Sequence, residues 1–224
     1  MRVGEIVTRV RAAIDELMVN DSSFLRESED EQNLTAVIVS KIGYALQYVI
    51  EHAPLEKIDT DLLRPLSGSG GTFYVDADLV GHLKLPKNLL RIVDARLSSW
   101  SQFPIPQPSF SETYLMQQDK YARGTYDRPV NILTYNGSDR YLEMYSAKDF
   151  TDTLLFSYIG KPSEESYSHE NMNQEVSVPA QLEAALVYQI AGLSMLAFRE
   201  DVANSLLAVA ERYLESGTVR RNEE

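Results

Sequence analysis

The chain has 224 residues, a formal net charge of −12 and 44% hydrophobic residues, and it contains no cysteine. This composition is typical of a globular protein with a sizeable core, which excludes disorder along the whole length. The lack of cysteine excludes disulfides, thiolate nucleophiles and Cys-ligated metals. The acidic balance argues against a surface that grips nucleic acid, although it is compatible with a wall past which DNA slides.

Membrane and export features are not predicted. No stretch reaches about 18 consecutive apolar residues, the length that spans a bilayer. The first residues, Met1–Ile6, lack the apolar block and the small-residue cleavage site of a signal peptide. We therefore expect folding in a cytosol and no membrane partner.

The N-terminal quarter predicts two helices. Residues 1–18 carry apolar side chains at helical spacing on one stripe. A second helix is predicted over 34–52, with Asn33 as its N-cap and Pro54 ending it. It is apolar on more than one face, which predicts either a central place in a bundle or contact with another subunit. The acidic run at 27–31 is interpreted as a solvated loop rather than a metal site.

The middle of the chain predicts a linker followed by a β domain. Residues 54–72 form the linker, which closes on the glycine-rich run 67–71. That run has neither Walker nor dinucleotide-binding spacing, so it is interpreted as a flexible connection. Residues 73–160 predict a small antiparallel β domain. Within it, the proline-rich loop 101–110 predicts an extended arm, whose apolar side chains rest either on a neighbouring subunit or on the chain's own sheet.

A β-hairpin is the strongest local pattern in the β domain. Alternating residues over 130–135 and 141–145 flank Asn136-Gly137, a dipeptide typical of hairpin turns. A strand over 153–159 is apolar enough to be central in a sheet. Further strands are predicted over 73–75, 79–85 and 89–100, and a short helix over 111–122.

The C-terminal part predicts a polar loop over 161–178, two helices within 179–216 and a polar tail over 217–224. Pro179 suits the first turn of a helix, and Asp201 can cap the second. Helices from both ends of the chain must meet to bury their apolar faces. The predicted fold is α+β: an antiparallel helical bundle, formed by the N- and C-terminal helix pairs 1–53 and 179–216, with the β domain inserted between them.

Few residues of the sequence are candidates for catalysis or metal binding. The three histidines, His52, His82 and His169, lack metal-ligand spacing. Asp76 and Asp78 lie two apart on a putative strand and could bind a metal or share a proton. No third ligand is evident, so a solvated turn is favoured. We predict no catalytic, cofactor-binding or metal-binding residue, no cofactor, and no enzymatic activity.

Other polar features have structural interpretations. Glu164-Glu165 lies in a polar loop and favours solubility, and Ser69 lacks the glycine pattern of a nucleophile elbow. Tyrosine is abundant, with 13 residues. Several, such as Tyr141 and Tyr145, fall on predicted strands, which is typical of sheet packing or of protein interfaces.

Two stretches near the C-terminus carry a resemblance to a known family. Tyr158-Ile159-Gly160-Lys161-Pro162, followed by a polar acidic stretch and then Val178 to Ala191, resembles phage head-to-tail connector proteins. In that group a final strand, often ending in Lys-Pro, leads to a pattern P..l..Al.y..a and then to a second helix. The layout over 85–215 is similar in outline to podovirus tail-tubular or gatekeeper-type adaptors, including the ring proteins of crAss-like phages.

The resemblance implies a structural subunit of the virion at the head-tail junction, assembled in the bacterial host cytoplasm. It implies a closed ring homo-oligomer, a dodecamer, that docks on the portal protein above and on tail proteins below. Genomic DNA would pass through the lumen without sequence-specific binding. Apolar faces on the helices 34–52 and 179–198, together with the proline-rich arm, would supply the contacts between subunits.

Two alternatives stay open. One is another tail or capsid accessory protein of the virion, which its position in the particle would distinguish. The other is a cytoplasmic enzyme or ligand-binding domain, with a pocket that holds Asp76, Asp78 or His82 at perturbed pKa values.

Overall fold

The computed structural model describes residues 1–17, 28–66, 72–119, 121–162 and 167–215. Its helices are α1 (Val3–Leu17), α2 (Ser28–His52), α3 (Glu112–Gln118), α4 (Glu183–Met195) and α5 (Glu200–Glu215). Its strands are β1 (Leu63–Pro65), β2 (Phe73–Val75), β3 (Val80–Lys84), β4 (Leu89–Leu97), β5 (Gln107–Pro108), β6 (Val130–Asn136), β7 (Asp139–Tyr145) and β8 (Leu154–Gly160). The predicted α+β class is confirmed.

The chain divides into two compact units. One contains Met1–Asp59 together with Pro162–Glu224, and the other contains Thr60–Lys161. The first unit holds the four longer helices and the second holds all the strands and α3. The N-terminus joins the first unit by a short extended pairing, in which the N–H groups of Val3 and Val176 donate to the carbonyls of Gln174 and Met1.

Helix α4 is the most buried helix of the first unit, and it contacts α1, α2 and α5. Leu186, Ile190 and Met195 have no exposed surface. Leu186 and Ile190 share one side of the helix, and Met195 lies on the opposite side. A helix that is apolar all round needs neighbours on every side, and here helices of the same chain provide them.

Helix α2 likewise hides most of its apolar surface within one chain. Its apolar residues from Leu34 to Ile50 are mostly buried, and Tyr44 is its large exception, at 66% exposure. The expectation that α2 and α4 offer broad apolar faces to neighbouring subunits is therefore wrong. Contacts among α1, α2, α4 and α5 cover those faces.

The stretch Leu34–His52 of α2 is also long and apolar enough to cross a membrane by length and composition. Polar residues interrupt this stretch, so it contains no run of about 18 consecutive apolar residues, as expected from the sequence. A single helix of this kind near the N-terminus is weak evidence for a span. Packing against α4 accounts for its apolar character.

Helix boundaries differ from the predicted ones at three places, one of which is the short helix predicted over 111–122, which ends at Gln118. Helix α2 begins at Ser28, so Asn33 lies inside it and is not its N-cap. Acidic residues 29–31 thus belong to the first turns, where they favour a helix through its dipole. Pro179 opens a 3₁₀ turn over Ala180–Leu182 before α4 begins.

Gly192 on α4 lies at the closest approach of α4 and α5. A Cβ at this position would be 2.6 Å from Cγ of Leu207 and 3.1 Å from the carbonyl oxygen of Ala203. Only glycine leaves the two helices this close together.

Lys57, which lies in a 3₁₀ turn after α2, closes the C-terminal end of α5. Its side chain is 6% exposed, and Nζ donates to the carbonyl oxygens of Tyr213 and Leu214 at 2.8 and 2.7 Å. Carbonyls at the end of a helix have no partner in the helix, and a cation there also complements the helix dipole.

Replacing Lys57 by methionine, which keeps the side chain's length, is expected to lower the free energy of unfolding by about 2–3 kcal/mol. The change removes the two charge-assisted hydrogen bonds that Nζ donates to the carbonyls of Tyr213 and Leu214. Urea denaturation followed by circular dichroism measures the loss. Lys148→Met, at an exposed position, is the matched control and should cost little. Equal stability of the two variants would contradict the assigned role.

The second unit contains two sheets. One has the strand order β1-β8-β4, and the other has the order β2-β3-β7-β6-β5. Both contribute to one core: Leu83 and Met144 come from the five-stranded sheet, and Ala95, Leu97 and Phe156 come from the three-stranded sheet. Strand β8 lies centrally in its sheet, as predicted for 153–159.

The predicted single antiparallel sheet needs three corrections. The strands form two sheets, and β5 pairs with β6 in parallel. Residues 63–65 of the predicted linker form β1 and pair with β8. The glycine-rich run 67–71 and the tail 217–224 lie outside the described residues.

The hairpin of β6 and β7 is confirmed, with its turn one residue later than predicted. Asn136 pairs with Asp139, so Gly137 and Ser138 are the central residues of the turn. Gly137 has φ of +63°. A positive φ at the first central position is the feature of a type II′ turn, which glycine adopts without strain.

Candidate functional site

The proline-rich arm, helix α3 and the loop after it, residues 101–119 and 121–128, are held firmly on the β unit. We call them the arm segment. Asn131 is fully buried in β6, and its Nδ2 donates to the carbonyl oxygens of Ala95 and Pro104 at 2.8 and 3.2 Å. One amide thus ties the arm to two strands. The pairing of Gln107 and Pro108 with β6 adds main-chain contacts.

The second half of the arm segment is fixed by Gln117 of α3. Its side chain is 2% exposed, and Oε1 accepts a hydrogen bond from the Gly124 N–H at 2.8 Å. Arg123 donates from Nε to the Gln117 carbonyl at 3.1 Å and stacks 5.6 Å from the ring centre of Tyr145. Ser146 Oγ donates to the Gly124 carbonyl at 2.7 Å. These partly buried polar contacts give the loop after α3 a defined conformation.

Large apolar side chains protrude from this anchored backbone. They are Phe103, Ile105, Phe110, Leu115, Met116, Tyr121 and Tyr126, with exposures between 41% and 96%. Of these, Ile105 and Phe110 are mostly uncovered by their own chain, at 74% and 88% exposure, whereas Phe103, at 41%, is more than half covered. Exposed apolar side chains on a fixed backbone are typical of interaction sites, since they lose little entropy when a partner covers them.

The Asp76–His82 pair is the chemically most organised group among the predicted site residues. Asp76 lies in the turn between β2 and β3, where its Oδ1 accepts from the N–H groups of Asp78 and Val80, both at 2.9 Å. Its Oδ2 lies 2.9 Å from Nε2 of His82. The ring of His82 stacks on Tyr74, with centroids 5.0 Å apart.

The carboxyl group of Asp76 has a lowered pKa. Partial burial raises this pKa, but the hydrogen bond from His82 and those from the Val80 and Asp78 amides outweigh it. The pair closes the hairpin of β2 and β3 across a turn in which Leu79 has a positive φ of 60°. Its hydrogen bonds are those of a structural turn.

The metal hypothesis for Asp76 and Asp78 gains no support. Asp78 is exposed, and only its backbone N–H contacts Asp76, by donating a hydrogen bond to Oδ1. Within the described part of the chain, no three His, Cys, Asp or Glu side chains come together to hold a metal ion. His52 stacks on Tyr48 in α2, and His169 is exposed in a loop of the helical unit. Glu164-Glu165 lies outside the described residues.

Replacing Asp76 by asparagine is expected to lower the melting temperature at neutral pH and to have less effect in acid. Because the pKa of Asp76 is lower in the folded chain than the unfolded value of about 3.9, its stabilisation is present above about pH 4. It is lost as the pH falls through the folded pKa. Thermal melts of both proteins from neutral pH to about pH 3 measure the difference. A gap that stays constant or widens in acid would contradict this assignment.

Sequence reasoning missed the contact of Glu143 with Tyr145 on β7. The Tyr145 hydroxyl donates to Glu143 Oε2 at 2.7 Å. Burial, and then this hydrogen bond, raise the pKa of Tyr145, so its hydroxyl stays a neutral donor. Residues two apart on a strand share a face, and that spacing could have pointed to the pair. Its role is to orient the ring on which Arg123 stacks.

The comparisons with known proteins do not assign a family. The sequence matches no protein-family model, and a search of curated proteins finds no match. The function is therefore argued from the arm segment and from the sequence resemblance.

Proposed function

We propose that the chain is a structural subunit of the head-to-tail adaptor ring of a tailed bacteriophage. It joins the portal to the tail and forms part of the DNA channel. The resemblance of 158–162 and 178–191 to connector proteins supplies the class. The observation that carries the proposal is the arm segment, whose apolar side chains are exposed in one copy and would be covered by a neighbouring copy in the ring.

A closed ring needs two different contact surfaces on each subunit. One surface of a subunit binds the other surface of the next, and this heterologous contact repeats around an axis until the ring is complete. In this proposal the arm segment is one face and a different surface of the next copy is the other. Asn131 and Gln117 anchor the arm segment, which supports its assignment as a contact surface. A fixed arm loses less conformational entropy on docking than a loose one.

The helical unit is the part that we assign to the portal and tail contacts. In the proposed arrangement α1, α2, α4 and α5 form an antiparallel bundle with the β unit inserted between its halves. The net charge of −12 suits a lumen that DNA crosses without being held, because like charges repel. No catalytic step is part of this function.

Native mass spectrometry of the purified full chain, alone and mixed with a purified phage portal, tests the proposal. The expected result is one discrete multiple of the subunit mass, with a dodecamer as the specific expectation. Binding to capsid or tail proteins without a ring would favour another virion accessory protein. A monomer under both conditions would contradict the adaptor assignment.

A further inference from the structure

The hairpin tip of β6 and β7 contains the chain's single Asn-Gly dipeptide, Asn136-Gly137. In this dipeptide the backbone nitrogen of the glycine can attack the side-chain carbonyl carbon of the asparagine. Glycine favours the attack because no side chain shields the nitrogen and because its backbone rotates easily. We infer that Asn136 is a site of spontaneous deamidation in the folded protein.

The geometry of the turn leaves the reacting groups accessible. Both residues are exposed, and a Cβ at Gly137 would meet nothing within 4 Å. Gly137 is the first central residue of the turn, so its N–H lies outside the hydrogen bonds that close the turn. Asn136 belongs to the last pair of the hairpin, and opening that one pair at a strand end costs little free energy.

Asn131, on the same strand, shows the opposite situation. It is fully buried, both of its amide hydrogen bonds are made to carbonyls, and the branched Ile132 follows it. Among the described residues, the other exposed asparagines are followed by residues with side chains, at Asn88, Asn171, Asn173 and Asn204. Sequence and exposure therefore single out Asn136.

The reaction balances without a cofactor. The nitrogen of Gly137 forms a bond to Cγ of Asn136, the bond from Cγ to Nδ2 breaks, and ammonia leaves with the proton of the Gly137 N–H. Water then opens the five-membered succinimide ring at either carbonyl. One opening gives aspartate, and the other gives isoaspartate, in which the main chain runs through the side-chain carbon.

Both products disturb the hairpin tip. A carboxylate at position 136 would lie across from Asp139, and like charges directly opposite in a sheet destabilise it. Asp139 already pairs with Lys84, and that hydrogen bond holds the pKa of Asp139 below its usual range. Isoaspartate also adds a methylene to the main chain of β6, which breaks the pairing of residues 136 and 139.

Peptide mapping by mass spectrometry after incubation of the folded chain at mildly alkaline pH tests this inference. We expect Asn136 to convert about ten times faster than the exposed asparagines named above, equal to a barrier lower by about 1.4 kcal/mol. The Asn136→Asp protein identifies the aspartate product by co-elution, leaving isoaspartate as the second peak. Asn136→Gln should convert much more slowly at that position, because its longer side chain closes a larger ring more slowly.

Incubation in urea is the control that measures deamidation of the unfolded chain. Asn136 should convert there too, which proves that the conditions support the reaction. Conversion of Asn136 in urea but not in the folded chain would overturn the inference, because the turn would then protect the site. Faster conversion of any other asparagine in the folded chain would overturn it as well.

Discussion

Replacing Gly192 by valine is expected to lower the free energy of unfolding by about 3 kcal/mol. The two branches on Cβ would enter space held by Leu207 and by the Ala203 carbonyl, so α4 and α5 would have to separate. Valine has a better helix propensity than glycine, but only by about 0.4 kcal/mol. Overpacking therefore outweighs the gain in propensity.

Thermal denaturation measures this effect, and a melting temperature lower by roughly 8 °C is expected for a chain of this size. Ala208→Val is the matched control, because Ala208 is exposed on α5 and loses only helix propensity, about 0.6 kcal/mol. If Gly192→Val were as stable as this control, α4 and α5 would not approach closely at Gly192.

In the proposed ring, replacing Ile105 and Phe110 together by serine is expected to weaken the contact between subunits strongly and leave the fold unchanged. Both side chains are largely exposed, at 74% and 88%, so the isolated chain loses little burial. Central apolar anchors of an interface contribute about 2 kcal/mol or more each. The pair should therefore weaken association about a thousandfold.

Sedimentation velocity over a range of concentrations measures the association, and circular dichroism melts check the fold. Phe150→Ser is the control, since Phe150 is 67% exposed in the same unit but lies outside the arm segment. An equal loss of association in the control would point to general surface apolarity as the cause. Unchanged association in the double variant would remove the arm segment from the interface.

Local patterns predicted most elements of the fold. The hairpin of β6 and β7 followed from alternation around Asn136-Gly137, and the bounds of β2, β3 and β8 were correct to within a residue or two. Helices α1 and α5 followed from apolar stripes of helical period. These features depend on residues close in sequence, which is why the sequence alone suffices.

Long-range pairing could not be predicted from those patterns. Strand β1 has three residues, in a stretch that looks like a linker, and it exists because β8 pairs with it. The parallel pairing of β5 with β6 depends on an arm with alternate prolines, whose sequence favours no regular element. The sharing of one core by two sheets is set by the tertiary fold.

The candidate site was predicted in part. The arm's sequence indicated apolar side chains in need of a surface, but their exposure depends on where Asn131 and Gln117 hold the backbone. The apolar character of α2 and α4 suggested subunit contacts, whereas the helices of the same chain cover them. Composition indicates how much apolar surface must be buried. Whether the same chain or a neighbouring subunit covers that surface depends on the fold.

Electron microscopy of the full chain mixed with purified phage portal tests the central claim most directly. The account predicts end-on views of a closed ring with a central opening, attached to one face of the portal. It also predicts that the Ile105→Ser, Phe110→Ser variant forms no such ring. Portal particles that carry no added density at saturating concentrations of the chain would contradict the account.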